Sequence, residues 1–370
     1  MMESPRLVKL VDSRINEFLV SRDSILDRIA PELAPFARFS RDLLSGGKRF
    51  RAQFCYWGWR AVSPAGSTPG AVPTEADLDA LIDLCAGLEL FHAAALVHDD
   101  IIDNSDTRRG MPAVHRRFES LHREEDWRGP GRSFGEGSAI LLGDLLLAWS
   151  DEIIARGILG APSLQTHVAA REAIDTMRTE VTLGQYLDLL EERAWATVDA
   201  ERSLERAERV IVYKSAKYSV EAPLVIGASL RGATPAQLDS LRRFGLPLGI
   251  AFQLRDDVLG VFGDAERTGK PSGDDLREGK RTVLVSITRS RLDGSSRRLF
   301  DELIGDPDLD EEQIRMLQRT MVDAGAVTEV EMMIAGRLRA ALEELERSPL
   351  GDTARTELAS LARTITDRQS

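Results

Sequence analysis

Aspartates and arginines closely follow an apolar run in residues 98–110, which read HDDIIDNSDTRRG. On a helix, Asp99 and Asp103 would stand one turn apart, so both carboxylates would point to one face at a separation of about 5–6 Å. Two negative charges that close repel each other, and a helix with a purely structural role gains nothing from them. The spacing therefore predicts that a positive charge binds between the two carboxylates.

A second acidic pair lies in residues 248–264, LGIAFQLRDDVLGVFGD, where Asp256 and Asp257 again follow an apolar helical stretch. One such pair is usually a solvated helix face, but two pairs, each at the end of an apolar helix, favour a functional site. Facing clusters of carboxylate oxygens suit Mg²⁺, which also takes waters and phosphate oxygens as ligands. Zinc is a poor alternative, because the five histidines show no metal-ligand spacing with the cysteines.

Basic residues lie near both acidic clusters in the sequence. Each alone is typical of a surface cation, but local basic clusters are what an acidic protein needs to bind anions. The GGK fragment at 46–48 is not a P-loop, because Asp42 stands where the first glycine belongs and Arg49 replaces serine or threonine. The basic residues in question are Lys48 and Arg51, Arg108 and Arg109, Lys214 and Lys217, and Lys270 and Lys280.

Composition places limits on the class of protein. The 370 residues are 43% hydrophobic and 29% charged, as in an ordinary soluble globular protein, and the net charge of −12 argues against nucleic acid as a partner. The apolar run at 139–149 is broken by Gly143 and Asp144, so no stable membrane insertion is expected. Cys55 and Cys85 are flanked by apolar residues and are expected to be buried thiols. Together with an N-terminus that lacks a signal-peptide pattern, they favour the cytoplasm.

Apolar residues recur three and four apart through most of the chain, and alternating strand-like runs are nearly absent. Helices are predicted at 8–32, 78–103, 138–157, 164–192, 200–230, 236–262, 281–290 and 310–346. Stretches rich in helix breakers are at 61–76, 104–113, 126–137, 159–163 and 263–280. The pattern predicts one all-α domain of about ten or more helices, many of them too apolar to lie at the surface.

An ordered set of motifs resembles the trans-isoprenyl diphosphate synthases, the farnesyl, geranylgeranyl and polyprenyl diphosphate synthase family, with bacterial geranylgeranyl diphosphate synthases the most similar. The motifs are GGKRFR (46–51), ELFHAAALVHDDIIDNSDTRRG (89–110), GDLLLA (143–148), GQYLDL (184–189), YKSAKY (213–218), FQLRDDVLGVFGD (252–264) and GKPSGDDLREGKR (269–281). They cover about residues 40–290 of a single domain over 1–370. The resemblance implies an all-helical bundle around a deep central cavity, and a homodimer.

The resemblance further implies a Mg²⁺-dependent prenyl transfer, in which isopentenyl diphosphate condenses head to tail with an allylic diphosphate. Three Mg²⁺ ions per active site are expected. By motif position, the metal ligands are Asp99 and Asp103 from the first cluster and Asp256 and Asp257 from the second. Metal binding would draw charge from the leaving diphosphate, so that the C–O bond ionises to an allylic carbocation.

Motif position also assigns the substrate-binding residues. Isopentenyl diphosphate is assigned to Lys48, Arg51, His92 and Arg109, and the allylic diphosphate to Arg108, Lys214 and Lys270. Further substrate-binding residues are Ser215, Gln253 and Lys280. Catalytic roles are assigned to Lys214, Ser215 and Gln253 together with Asp99, Asp103 and Asp256, with Tyr218 also near the reacting carbons. Gln185 and Asp188, three residues apart, are expected to orient Lys214 and Gln253 from behind.

Two features of the motifs bear on activity and product. The second aspartate motif carries Gly260 where the family often has a final aspartate, and a water is expected in place of that carboxylate. In the family, bulky residues four and five positions before the first aspartate stop chain growth, and here those residues are Ala95 and Ala94. The next large side chain is Phe91, about one turn further, which favours a C20 product, geranylgeranyl diphosphate.

Three other functions are weighed against this one. A longer-chain synthase making C25–C50 products would also have alanines before the aspartates. A class I terpene cyclase would share the fold and the first motif, but it needs no isopentenyl diphosphate site and has no use for GGKRFR or Arg109. A non-catalytic subunit of a heteromeric synthase should have lost its first aspartate motif or its basic residues, and Gly260 is the only such hint.

Overall fold

The computed structural model describes residues 4–62, 74–197, 200–263 and 272–367, and helices make up nearly all of its regular structure. The all-helical fold class is therefore confirmed. The helices are α1 (Ser4–Ile29), α2 (Ala34–Leu44), α3 (Phe50–Arg60), α4 (Glu75–Ile102), α5 (Val114–Glu124), α6 (Gly131–Leu159), α7 (Leu164–Ala194), α8 (Ala200–Val210), α9 (Ala222–Leu230), α10 (Pro235–Phe262), α11 (Asp274–Glu278), α12 (Val283–Arg291), α13 (Gly294–Leu303), α14 (Glu311–Asp323), α15 (Ala326–Arg347) and α16 (Asp352–Thr366).

Short elements complete the fold. The π-helical segment Ile211–Glu221 continues α8 into α9, and 3₁₀ turns are formed by Pro31–Leu33 and Trp195–Thr197. The strands β1 (Thr107–Arg108) and β2 (Met111–Pro112) flank a two-residue turn. The predicted helix at 310–346 is two helices, because Gly325, at φ 70°, ends α14 in a left-handed conformation that other residues rarely adopt.

The described residues divide into two compact units. The first takes its residues from Met1–Asp106, Met111–Ala173 and Pro223–Leu238. The second takes them from Thr107–Gly110, Ile174–Ala222 and Asp239–Ser370. The single domain over residues 1–370 and its central cavity stay predictions.

Helix α4 forms the core of the first unit. It begins at a capping box, in which the Thr74 hydroxyl accepts from the Asp77 amide at 3.1 Å and the Asp77 carboxylate accepts from the Thr74 amide at 3.0 Å. Its glycines let α6 approach closely, since a Cβ at Gly87 would lie 3.0 Å from Cγ2 of Ile153. Every apolar side chain of α4 from Leu81 to Ala94 is buried, so the position of the helix is fixed by packing on several sides.

Helix α4 is also long and apolar enough to cross a membrane, judged by length and composition alone. However, 72% of its most apolar stretch is buried inside the protein. The core helices of soluble proteins have this combination of length, hydropathy and burial. Cys85, on the same helix, is a buried free thiol like Cys55, as predicted.

Helix α6 begins seven residues earlier than the sequence predicts. The glycines of GRSFGEG at 131–137 predict a break, yet the helix starts at Gly131, directly after Pro130. Gly135 is a packing residue, because a Cβ there would overlap the His115 carbonyl oxygen and lie 3.0 Å from the Glu119 amide nitrogen. The glycine thus lets α6 contact the backbone of α5, and this tertiary contact outweighs the low helix propensity of the segment.

The second unit has its own apolar core. Buried side chains of α10, α12, α14 and α15 meet there, including Leu254, Leu284, Leu317 and Val330. Residues 291–367, which carry no recognisable motif, form α13 to α16, and buried side chains of α13, α14 and α15 complete this core. Their role is therefore structural at least in part.

The Gly135→Ala substitution should destabilise the protein by about 1–3 kcal/mol, because the new methyl group meets backbone atoms of α5 that cannot move aside. The matched control is Gly137→Ala on the same helix, where no atom lies within 4 Å of the added Cβ. This control should be neutral or stabilising by up to about 1 kcal/mol, as expected from helix propensity. Urea-induced unfolding of the two variants measures the difference, and equal midpoints would show that Gly135 has no packing role.

Candidate active site

The first acidic cluster lies at the C-terminal end of α4. The helix ends at Ile102, and the Asp103 amide still donates to the Asp99 carbonyl at 2.8 Å, so the predicted one-turn spacing is present. Asp100 is buried, whereas Asp99 and Asp103 are partly exposed. A helix C-terminus carries partial negative charge, which disfavours carboxylates there unless a cation binds them. The donor set and its position therefore fit a divalent metal ion.

His98 precedes this cluster and packs against α6. Its Nε2 lies 3.4 Å from the Asp144 carboxylate and 3.4 Å from the Ile140 carbonyl oxygen. Any side chain at Gly143 would overlap the His98 ring, so the glycine of the GDLLLA motif makes room for the histidine. These contacts fix the end of α4 against α6 one residue before Asp99.

The loop before α3 holds Lys48 and Arg51 through a buried arginine. Gly46 and Gly47 have φ of 66° and 98°, and Arg49 also has a left-handed backbone, with φ of 50°. The Arg49 guanidinium donates to Asp12 at 2.9 Å and to Glu89 of α4 at 3.4 Å. Removing one partner of such a buried pair typically costs about 3–5 kcal/mol. The loop is thus a rigid support, and its lysine is exposed to solvent.

Arg108 and Arg109 are presented by a tight turn. Arg108 ends β1, and the two residues between the strands are Arg109 and Gly110, with φ of 54° and 74°. Positive φ at both central residues is typical of the two-residue turns that join twisted strands. Arg109 is exposed at this turn and Arg108 is partly buried.

In the second unit, a π-helical segment carries Lys214, Ser215, Lys217 and Tyr218. Such segments are rare and often occur at functional sites. Glycines allow two helices to contact its backbone: Gly184 of α7 lies against Tyr213 and Lys214, and Gly249 of α10 lies against Ala216. The helical periodicity of the sequence gave no signal for this wider turn.

The Asp188 carboxylate lies between two lysines of the predicted site. The Lys214 Nζ atom is 2.5 Å from Asp188 Oδ2, and the Lys280 Nζ atom is 3.8 Å from the same oxygen. The predicted Asp188–Lys214 pair is therefore present, and Lys280 joins it. A buried carboxylate between two ammonium groups restricts both lysine side chains.

Gln253 is oriented by a hydrogen bond to Asp257. Its amide nitrogen donates to Asp257 Oδ1 at 2.8 Å, one turn further along α10. Within the described residues, the buried amide nitrogen of Gln185 has no hydrogen-bond partner. The orienting role expected of Gln185 stays a prediction, and the hydrogen bond to Asp257 is a contact of Gln253 that the sequence did not indicate.

Asp257 keeps its proton to unusually high pH. Burial raises the pKa of this carboxyl to about 8, although the hydrogen bond from Gln253 acts in the opposite direction. The nearby carboxylates of Asp275, Asp256 and Asp188 raise it as well. A concentration of negative charge of this size is an environment in which a bound cation is strongly favoured.

The arrangement of carboxylates fits Mg²⁺ better than a protein-only metal cage. Across the described ranges, no three histidine, cysteine, aspartate or glutamate side chains form a ready metal cluster. Mg²⁺ usually takes only one or two carboxylates and completes its shell with waters and substrate phosphates. Each of the two carboxylate groups, taken by itself, has the oxygen ligands that such an ion prefers.

The remaining predicted residues differ in burial and lie in one or the other unit. Ala94 and Phe91 are buried on α4, while His92 and Ala95 are partly exposed. Tyr218 is buried and Ser215 partly exposed on the π-helical segment. Lys270 lies outside the described residues. In the first unit are Lys48, Arg51, Phe91, His92, Ala94, Ala95, Asp99 and Asp103, and in the second are Arg108, Arg109, Lys214, Ser215, Gln253, Asp256, Asp257 and Lys280.

Comparison with known proteins now identifies the family. Residues 34–321 match the model of the polyprenyl synthetase family. The chain is 31% identical over 365 residues to the short chain isoprenyl diphosphate synthase of Methanothermobacter thermautotrophicus, a match that covers 98% of this chain and 96% of the relative. It is 29% identical over 352 residues to the geranylgeranyl diphosphate synthase of Methanosarcina mazei, covering 92% of each.

A solved structure agrees with these matches. The geranylgeranyl pyrophosphate synthase of Corynebacterium glutamicum, complexed with isoprenyl diphosphate and magnesium, has a TM-score of 0.90 and 35% identity over 99% of both chains. The chain belongs to the polyprenyl synthetase family. It is a prenyltransferase of isoprenoid synthesis, and Mg²⁺ is the metal of this family. The resemblance carried by the ordered motifs is confirmed.

The buried carboxyl of Asp257 predicts how the stability of the metal-free protein depends on pH. An unfolded aspartate loses its proton near pH 4, whereas native Asp257 keeps its proton up to about pH 8. The native state therefore binds more protons between these values, and stability falls as pH rises. In a chelating buffer, Asp257→Asn should lose this slope and become more stable than the wild type by a margin that grows from pH 5 to pH 8.

The control for this experiment is Asp293→Asn. Hydrogen bonds from Ser296 and Ser295 lower the pKa of the exposed Asp293, so its titration is complete below pH 5. That variant should show the same change with pH as the wild type over this interval. The thermal midpoints of both variants and the wild type are measured at pH 5, 6, 7 and 8. If the midpoint of Asp257→Asn differed from that of the wild type by the same amount at every pH, the Asp257 carboxyl would be ionised throughout this interval.

Proposed function

We propose that the protein condenses isopentenyl diphosphate with allylic diphosphates and releases geranylgeranyl diphosphate (C20) as its main product. The observation that supports this product is the order of side chains on α4. Ala95 and Ala94 leave space one turn before Asp99, and Phe91 is the first large side chain beyond them, with 5% of its surface exposed. A helical turn rises about 5.4 Å, close to one isoprene unit, so this position favours one unit more than C15. Two of the relatives are also named for this product.

Mg²⁺ binding is proposed for Asp99 and Asp103 in the first unit and for Asp256 and Asp257 in the second. When bound, Mg²⁺ draws negative charge from the diphosphate and so favours its departure from the allylic carbon. The carboxylates supply oxygen ligands whose mutual repulsion disfavours the empty site. Three ions per active site are proposed, since the substrate diphosphate can bridge ions that the protein alone does not bind.

The lysines contribute fixed positive charge. Lys214 and Lys280 are both restrained by Asp188, so their ammonium groups do not have to be ordered when the diphosphate binds. Together with Arg108 and Lys270 they are proposed to bind the allylic diphosphate and to stabilise it as a leaving group. The restraint by Asp188 lowers the entropic cost of this arrangement.

The second substrate is proposed to bind the basic residues of the first motif. Lys48, Arg51, His92 and Arg109 would hold the diphosphate of isopentenyl diphosphate. The buried Arg49 keeps the loop of Lys48 and Arg51 rigid through Asp12 and Glu89. Two diphosphates held in this way would bring the double bond of one substrate to the allylic carbon of the other, which makes such a reaction effectively unimolecular.

Neutral dipoles are proposed to stabilise the allylic cation. The amide nitrogen of Gln253 donates to Asp257, so the carbonyl oxygen of the same amide is turned the other way as an acceptor dipole. The Ser215 hydroxyl stands beside Lys214 on the π-helical segment. Partial negative charge on these oxygens stabilises a carbocation without forming a bond to it.

A homodimer in the cytoplasm is also proposed. Helix α6 exposes Ile140 and Leu141, with 45% and 61% of their surfaces accessible, and α7 exposes Leu183 and Tyr186. Exposed apolar side chains in neighbouring positions are typical of protein–protein interfaces.

The C20 assignment is tested by the product of the purified protein with Mg²⁺, labelled isopentenyl diphosphate and each of the C5, C10 and C15 allylic diphosphates. Formation of C20 from all starters that react supports both the activity and the product. Products of C25 or longer would support a longer-chain synthase and contradict the role of Phe91. No condensation with any starter would contradict the activity and favour a non-catalytic subunit.

Substitution of Phe91 tests the residue that sets the product length. Phe91→Ala removes the large side chain and should shift the main product from C20 to C25 or longer, with little loss of total condensation. Phe91→Leu, which keeps most of the volume, is the matched control and should still give mainly C20. The chain-length distribution is measured by chromatography of the dephosphorylated products. An unchanged distribution in Phe91→Ala would assign the limit to another residue.

A further inference from the structure

Lys280 lies in a segment without regular structure, at residues 280–282 between α11 and α12. Its ammonium group is 3.8 Å from the Asp188 carboxylate and 3.7 Å from that of Glu278. These are ion-pair distances and are longer than a hydrogen bond. Asp188 thus restrains the ammonium group, whereas the position of the backbone that carries it depends on other contacts.

The next residue, Arg281, anchors that backbone through its guanidinium group. The central carbon of this group lies over the Trp195 ring, 3.8 Å from its centre. Its Nη2 atom donates to the Ile304 carbonyl oxygen at 3.1 Å. One face of the guanidinium is therefore covered by an indole, and one of its nitrogens is held by the backbone that follows α13. All these residues lie in the second unit, as does Lys280.

The end of α7 provides contacts to both residues of the segment. Asp188 lies in α7, and Trp195 begins the 3₁₀ turn that directly follows this helix. Trp195 stands seven residues after Asp188, which is close to two helical turns, so the two side chains share one face. Lys280 and Arg281 are neighbours in the chain, and each meets one of these side chains. The face thus holds the segment at two successive positions.

The backbone before Lys280 is held as well. Gly279 follows α11 with φ of 79°, and a Cβ at this position would lie 3.0 Å from the Cα atom of Gly305. The residue before Gly305 is Ile304, whose carbonyl oxygen accepts from Arg281. The residues on both sides of Lys280 therefore contact the same short stretch of backbone.

Packing alone does not explain a buried arginine at this position. Burial lowers the pKa of Arg281 to about 10 and the neighbouring Arg289 lowers it further, while Asp301 and Glu192 act in the opposite direction. Within the described residues, the buried Nε and Nη1 atoms of Arg281 have no hydrogen-bond partner. Buried donors without a partner destabilise a folded protein, and an apolar side chain of similar length would avoid that cost.

We propose that Arg281 is a positioning residue, whose contacts with Trp195 and the Ile304 carbonyl set the backbone of Lys280 so that its ammonium group meets a substrate diphosphate. This inference rests on the proposed function, which gives Lys280 its role toward the diphosphate. Arg281 acts through Lys280 and not by contact with the substrate. Its contribution is to restrict, before binding, the motion that Lys280 would otherwise lose on binding.

The affinity of the full-length protein for inorganic diphosphate in the presence of Mg²⁺, measured by calorimetric titration, tests this role. Arg281→Met replaces the guanidinium by an apolar side chain and should weaken binding about tenfold, because small displacements of a binding group have large effects. Arg281→Lys keeps the charge but not the planar group, and it should weaken binding to a similar extent. Trp195→Ala should do the same, whereas Trp195→Phe keeps an aromatic face and should stay within about threefold of the wild type.

A double-mutant cycle separates positioning from a general effect on structure or charge. Lys280→Gln should weaken diphosphate binding by itself, and the addition of Arg281→Met should weaken it no further. The matched control is Arg315→Met, which removes the same charge from the exposed surface of α14, where Arg315 pairs with Glu311 at 3.2 Å. This control should leave the affinity unchanged. Circular dichroism confirms that each variant is folded.

Additive losses in the double variant would overturn the proposal, because Arg281 would then act independently of Lys280. Wild-type affinity in Arg281→Lys would also overturn it, since charge alone would account for the effect. Condensation of isopentenyl diphosphate with an allylic diphosphate by the wild type is measured in parallel. Absence of that activity would contradict the proposed function, whereas an active wild type with full affinity in Arg281→Met would contradict only this inference.

Discussion

Repulsion between carboxylates is the constraint on which the candidate site depends. Asp99 and Asp103 stand one turn apart at the negative end of a helix, and Asp257 lies buried among other acidic groups. Neither arrangement is stable by itself, and each is held by packing of apolar helices around it. The packing of the helical core thus keeps acidic groups close together, which is the environment in which Mg²⁺ is proposed to bind.

Rigid supports around the site serve the same purpose. Arg49 is buried with Asp12 and Glu89 behind the loop of Lys48, and Asp188 holds Lys214 and Lys280. In both places a group that does not meet the substrate fixes one that is proposed to do so. Ordering these long side chains during folding removes that entropic cost from the binding step.

The sequence predicted the fold class and most helices, because apolar periodicity and helix breakers are local signals. It also predicted both acidic clusters and the pairing of Lys214 with Asp188. The sequence did not predict the early start of α6, because a glycine such as Gly135 is typical of a helix break. Its contact with the backbone of α5 appears only in the structure. The π-helical turn and the contact of Arg281 with Trp195 depend on tertiary contacts, for which a single sequence has no local signal.

The raised pKa of Asp257 links metal binding to the release of a proton into the solvent. Because its carboxyl is protonated at neutral pH in the metal-free state, the Mg²⁺ ion proposed to bind Asp257 must displace that proton. Metal uptake and proton release are then one linked equilibrium, and affinity for the cation increases with pH up to about 8. Through a buried acid of this kind, pH itself regulates metal binding, and no separate regulatory site is needed.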